Sequence, residues 1–194
     1  MDNRAQPTLD PMEAVAFNRA FAEHAEGLKT YALRMVRDSI LAEDITQDAF
    51  LALYRHLSQV PPSAFRPWLY RVTRNLCLDQ LRRRKFKLRL FRDIAPRDET
   101  DVDIAHEDPA AHRPDQIAST RETQATMEAA IQDLPVKFRE AFLLCELQGL
   151  SYEDAAAILK CPVKTVSTRL FRARQRFKAA VGDLLPSLTS PRAT

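Results

Sequence analysis

Between Ser151 and Lys178 the chain reads SYEDAAAILKCPVKTVSTRLFRARQRFK, which predicts two short helices joined by a tight turn. Ser151 and Asp154 make a capping box that starts one helix at Tyr152. Ala155 to Ala157, with Ile158 and Leu159, give that helix a compact inner face, open to close approach by a second helix. Lys160-Cys161-Pro162 breaks the pattern, and Pro162 suits the first position of the next helix. There Val163, Val166, Leu170, Ala173 and Phe177 recur at helical spacing and are expected to face inward. Lys164, Thr165, Ser167, Thr168, Arg169, Arg172 and Arg176 are left outside. From Lys160 to Lys178 there are seven Lys/Arg and no Asp/Glu. This is the pattern of a helix-turn-helix whose second helix suits the major groove of DNA. Hydroxyls and arginines early in the helix reach base edges, and later arginines meet phosphates. A helical hairpin with a solvated basic face shares much of the pattern. The capped first helix, the turn and the one-signed second helix favour DNA.

Only three glycines occur in 194 residues. With so few turn-formers and several long stretches of 3.6-residue periodicity, the expected fold class is all-α. Cys77, Cys145 and Cys161 are widely spaced, with no C-x-x-C pair, and read as reduced thiols of a cytoplasmic protein. His24, His56, His106 and His112 are too scattered for a metal site, so neither metal nor cofactor is expected. No apolar run of spanning length and no leader are visible, so no membrane insertion of its own is expected.

A first helical domain is expected over 10–92. Asp10-Pro11-Met12-Glu13 starts a long helix with a cap, a proline in the first position and an acid in the third. Phe17, Phe21, Leu28, Tyr31, Ala32 and Met35 mark its inner face, and it ends near Arg37. A second helix runs from about Leu41 to Leu57, with Ala42, Ile45, Ala49, Leu53 and Leu57 inside. Phe50 and Tyr54 lie off that line beside Asp44, Gln47 and Asp48. They form either a half-exposed ridge for a partner or packing against the neighbouring helix. Adjacent prolines make 58–63 a loop. A third helix over about Ala64 to Lys85 has Phe65, Leu69, Val72 and Leu76 as its core stripe. Between Arg66 and Arg92 stand ten Lys/Arg against one acid, Asp79. Aromatics interleaved with cations beside a proline-held loop suit single-stranded nucleic acid, although the aromatics also serve a core and the arginines solvent.

From Asp93 the charge reverses. Residues 93–125 hold nine Asp/Glu against three Lys/Arg, with three prolines. An acidic, partly disordered linker is therefore expected over 93–122. It leads into a second domain, 123–182, which carries the helix-turn-helix. A helix around Thr123–Gln132 opens this domain and Pro135 starts another. Gly149 fits the left-handed position that closes the latter.

Together and in this order, AEDITQDAFLALYRHL (42–57), FRPWLYRVTRNLCLDQLRRRK (65–85) and LPVKFREAFLLCELQGLSYEDAAAILKCPVKTVSTRLFRARQRF (134–177) resemble a sigma factor of RNA polymerase, of the extracytoplasmic-function type. The resemblance implies a subunit without catalytic chemistry that binds core RNA polymerase and directs it to promoter DNA. It implies docking on polymerase through Asp44, Gln47, Asp48 and Phe50. It implies minus-ten recognition and melting through the 58–64 loop and the third helix, with Ser63, Arg66, Arg71, Arg74, Asn75, Arg82 and Arg83 at the DNA. Minus-thirty-five reading falls to Lys164, Ser167, Thr168, Arg169 and Arg172, with Arg176 also at the DNA. Control by an anti-sigma factor is also implied. Two rivals explain less. A stand-alone helix-turn-helix regulator leaves the first domain without a role. A recombinase or nuclease needs clustered carboxylates or a supported nucleophile, and Ser63 near Arg66 and Arg71 has no acid–base pair beside it.

Overall fold

The computed structural model describes residues 10–94 and 117–182. Among them every regular element is helical: α1 (Pro11–Val36), α2 (Ser39–Arg55), α3 (Phe65–Ile94), α4 (Ile117–Gln132), α5 (Val136–Phe142), α6 (Tyr152–Leu159) and α7 (Val163–Val181), with short 3-10 turns between α2 and α3 and a π turn after α5. The chain divides into two compact units between Gln80 and Leu81, a point inside α3. Of the acidic stretch expected at 93–122, residues 95–116 lie outside the described residues. α4 begins at Ile117, several residues before the expected Thr123.

In the first unit, local chemistry sets the helix ends. Asp10 accepts from the Glu13 amide at 2.8 Å, and Glu13 accepts from the Asp10 amide at 3.2 Å. That reciprocal box satisfies two amide donors that a helix start otherwise leaves open. α1 stops at Arg37, whose left-handed backbone (φ 59) turns the chain into α2. There Asp38 caps the amide of Leu41. The two helices pack through Leu28, Tyr31, Ala32 and Met35 against Ala42, Ile45, Ala49 and Leu53, all buried. α3 joins this core through Tyr70, whose ring meets Tyr31 edge-on at 5.7 Å. Its buried face is Phe65, Leu69, Tyr70, Thr73 and Cys77, while Val72 and Leu76 are only half-buried. The expected stripe is therefore rotated by about one residue. α3 also continues nine residues past the expected end at Lys85.

In the second unit α7 is the hub, packing against α4, α5 and α6. Val166, Leu170 and Ala173 are buried beside Ala155, Ala156, Ile158 and Leu159. The alanines permit the close approach that the sequence predicted. Phe177 stacks on Phe142 at 5.1 Å. Val163, expected inside, is 40% exposed because it occupies the first turn, ahead of the packed face. Buried Arg139 donates to the carbonyls of Gln132 and Leu134, tying the end of α4 to α5 where backbone acceptors lack helical partners.

Candidate nucleic-acid interface

α6 and α7 form the helix-turn-helix. Ser151 accepts from the Asp154 amide at 3.0 Å and donates to its carboxylate at 2.9 Å. Lys160 closes α6 in the left-handed region, φ 52 and ψ 49, the geometry that Gly149 also adopts at φ 62 before α6. Gly149 turns the chain into α6, and Lys160 turns it from α6 toward α7.

Of the outward residues of α7, Lys164, Thr165, Thr168, Arg169 and Arg172 line one groove of about 430 Å³ with Lys137 and Phe138 of α5 and Pro162. Four of the lining residues are cationic and none is a carboxylate. A concave surface of one sign concentrates the field that a polyanion feels. Thr168 donates its hydroxyl to the Lys164 carbonyl at 2.9 Å, so what it has left to offer is an acceptor oxygen. Ser167 is exposed beside it. Arg176 lies apart. Its guanidinium sits 5.6 Å over the Phe138 ring and borders a second hollow with Ala130, Asp133, Leu134, Ala179 and Ala180.

The sequence reading missed three features here. Phe171 is 60% exposed, an aromatic at an outward position of a cationic helix. Lys137 enters the groove from α5. Arg174 points to the other side of α7 and holds Glu146 of the π turn, Nη2 to Oε1 at 2.5 Å and Nε to Oε1 at 3.0 Å. Burial alone would lower the Arg174 pKa, but Glu146 and Tyr152 outweigh it and keep the guanidinium above its ordinary value. An outward large apolar residue at 171 and an acid, Glu146, shortly ahead of the helix-turn-helix were the available signals.

On α3 and the 3-10 turn before it the expected nucleic-acid residues fall into two groups. Ser63, Arg71, Asn75, Arg82 and Arg83 are exposed, whereas Arg66 and Arg74 are half-buried. The Arg66 charge is felt by both Tyr70 and His24. Burial, opposed in part by Glu23 and reinforced by Arg66, lowers the His24 pKa. Burial pushes the Tyr70 hydroxyl up to about 12. Trp68 is half-buried and lies 6.0 Å from the His56 ring beside the proline turn.

On α2, Asp44, Gln47 and Asp48 share an exposed face, joined by Leu51 at 51% exposure. Phe50 corrects the ridge reading. It is 3% exposed, 4.8 Å from Phe21 and 6.1 Å from Phe17 by ring centroids. Tyr54 meets Phe17 edge-on at 5.9 Å. The aromatics of α1 widen the buried arc of α2, so Phe50 supports the acidic face from beneath. Among the described residues no group of His, Cys, Asp and Glu could hold a metal ion, and no helix is long and apolar enough to cross a membrane.

A helix-turn-helix with a carboxylate-free cationic groove, on a chain that also carries the strongly cationic helix α3, fits a DNA-binding protein of transcription. Comparison with known proteins makes the class specific. Residues 20–87 match the Sigma-70 region 2 family and residues 124–177 match Sigma-70, region 4. The chain is 34% identical over 171 residues to the RNA polymerase sigma-H factor of Pseudomonas aeruginosa, covering 88% of each chain. It is 34% identical over 177 residues to the ECF RNA polymerase sigma factor SigE of Mycolicibacterium smegmatis, covering 91% of this chain and 63% of that longer protein. Among solved structures it is similar to the sigma factor RpoE of Bartonella quintana, crystallised with the anti-sigma factor NepR. That match has a TM-score of 0.66 and 26% identity, covering 85% of this chain and 96% of the other. The chain belongs to the extracytoplasmic-function sigma factors of RNA polymerase. Binding to core RNA polymerase and to promoter DNA are properties of that family.

Proposed function

We propose that this chain joins core RNA polymerase in the cytoplasm, carries it to a class of promoters, and is held inactive by an anti-sigma factor until needed. α7 reads the minus-thirty-five element through Lys164, Ser167, Thr168, Arg169 and Arg172, with Arg176 at the backbone. The 58–64 turn and α3 take the minus-ten element. Exposed Ser63, Arg71, Asn75, Arg82 and Arg83 touch the strand, and half-buried Arg66 and Arg74 brace the surface beneath it. Asp44, Gln47 and Asp48 dock on polymerase, and Phe50 fixes their helix. No catalytic step is assigned to the chain, because polymerase performs the chemistry.

The observation that carries this reading is the groove along α7, with four cations and no carboxylate in its lining. Phosphate contacts there supply salt-sensitive affinity, and the side chains that reach base edges supply choice of sequence. Two weak sites on one chain become strong together when polymerase holds both over one promoter. The anti-sigma element rests on similarity to the RpoE structure solved with NepR. In a reconstituted assay, Arg169→Ala with Arg172→Ala is expected to abolish promoter choice while sparing polymerase binding. Asp44→Lys with Asp48→Lys is expected to do the reverse. Loss of both activities in both variants would refute this division of labour.

A further inference from the structure

Lys137 stands outside the helix-turn-helix, one residue into α5. It nevertheless shares the 430 Å³ groove with Lys164, Arg169 and Arg172 of α7. Its ammonium lies 5.1 Å over the ring of Phe138, which is itself only 6% exposed. A buried ring cannot stack on a base, but its face can hold a cation in place, and Arg176 flanks the same ring at 5.6 Å. Lys137 is exposed, so its charge is available to a ligand.

Cations gathered on both walls of one groove repel one another, and no carboxylate in the lining offsets them. An anion between the walls removes that repulsion. Lys164, Arg169 and Arg172 face the same space with N–H donors only, which fits a tetrahedral oxyanion carried on an extended polyanion.

We infer that Lys137 is a DNA-backbone contact, gripping a phosphate at the edge of the major groove while α7 lies in it. The inference rests on the reading of α7 as the duplex-reading helix and extends the interface to a second helix. A lysine meets phosphate as a point charge and carries no base preference. Its contribution is therefore to affinity and to the seating of α7, equal across DNA sequences.

The test uses the full-length protein and a fluorescent random-sequence duplex, with binding followed over a series of salt concentrations. Lys137→Gln keeps the aliphatic stem over Phe138 and removes the charge. The slope of log K against log salt is expected to fall in magnitude by about 0.9, the value for one lost phosphate contact on duplex DNA. Lys137→Arg is expected to restore it. Lys29→Gln is the control for net charge, because Lys29 lies in the other unit and pairs with Glu43 at 3.1 Å; its slope is expected to match wild type. In the unaltered protein, acylation of the Lys137 amine, read by mass spectrometry, is expected to slow when duplex is bound. Wild-type slope in Lys137→Gln, or undiminished acylation of Lys137 in the complex, overturns the inference and leaves the reading of α7 standing. If the wild-type protein binds no duplex at any salt, the reading of α7 falls and the inference with it.

Discussion

Replacing Lys160 by glycine is expected to stabilise the protein. Lys160 ends α6 at φ 52 and ψ 49, where a side chain presses on the following carbonyl at a cost of about 1–2 kcal/mol. Glycine removes that cost but adds freedom to the unfolded chain, giving back about 0.4–1 kcal/mol. The net gain is then centred on about 0.8 kcal/mol. For a unit of this size, each kcal/mol moves the midpoint by roughly 4–8 °C. Calorimetry of the full chain should therefore show the transition of the second unit rising by about 2–8 °C. Lys160→Gln separates charge from backbone: it removes the cation, keeps the strained conformation, and is expected to leave the midpoint near wild type. Gly149→Ala supplies the converse. A Cβ there meets nothing within 4 Å, yet φ is +62, so a loss of about 1 kcal/mol comes from backbone conformation alone. A Lys160→Gly protein that unfolds at or below the wild-type temperature would refute the reasoning.

Further outcomes follow from burial and charge. Leu170 is 1% exposed at the centre of the second unit, so Leu170→Ala should cost about 2–5 kcal/mol by denaturant unfolding and abolish DNA binding with it. Thr73 is fully buried and its hydroxyl finds no hydrogen-bond partner among the described residues. Thr73→Val should thus raise stability by about 1 kcal/mol, and a destabilised variant would point to a bond that the structure lacks. Burial first, then Glu146, raises the Cys145 thiol from 9.0 to about 11, with Arg174 opposing. A pKa raised in the folded state gives stability that is present below the unfolded value and lost as pH climbs through the folded one. Stability should therefore fall between about pH 9 and 11, and Cys145→Ser should flatten that part of the profile.

Where the sequence was legible, a local chemical rule had no tertiary competitor. The Asp10–Glu13 box, the Ser151 cap on the Asp154 amide, the glycine at 149 and the inward run Val166, Leu170, Ala173 are each decided by neighbours along one helix. Phe50 was ambiguous because spacing defines a line, whereas burial depends on how wide a partner the line meets. The aromatics of α1 broadened it. The end of α3 was misplaced for the opposite reason. Beyond Lys85 the apolar stripe ends, but Arg, Lys and Leu favour helix intrinsically and no proline intervenes before Pro96. The π turn at Leu143–Leu147 left no mark in composition. There the amide of Gln148 bonds to the carbonyl of Leu143, five residues back. Without that turn, the pairing of Glu146 with Arg174 could not be read from a regular helical wheel. The groove joining Lys137 to α7 was illegible too, since it depends on how α5 crosses the recognition helix.

Initiation from defined DNA tests the central claim most directly. Purified protein, core RNA polymerase freed of other sigma factors and a randomised promoter library would be combined, and the transcripts sequenced. The account predicts initiation from promoters that share two upstream motifs, with the farther motif lost when Arg169 and Arg172 become alanine. Polymerase that fails to bind the protein, or initiation with no shared motif, would contradict it.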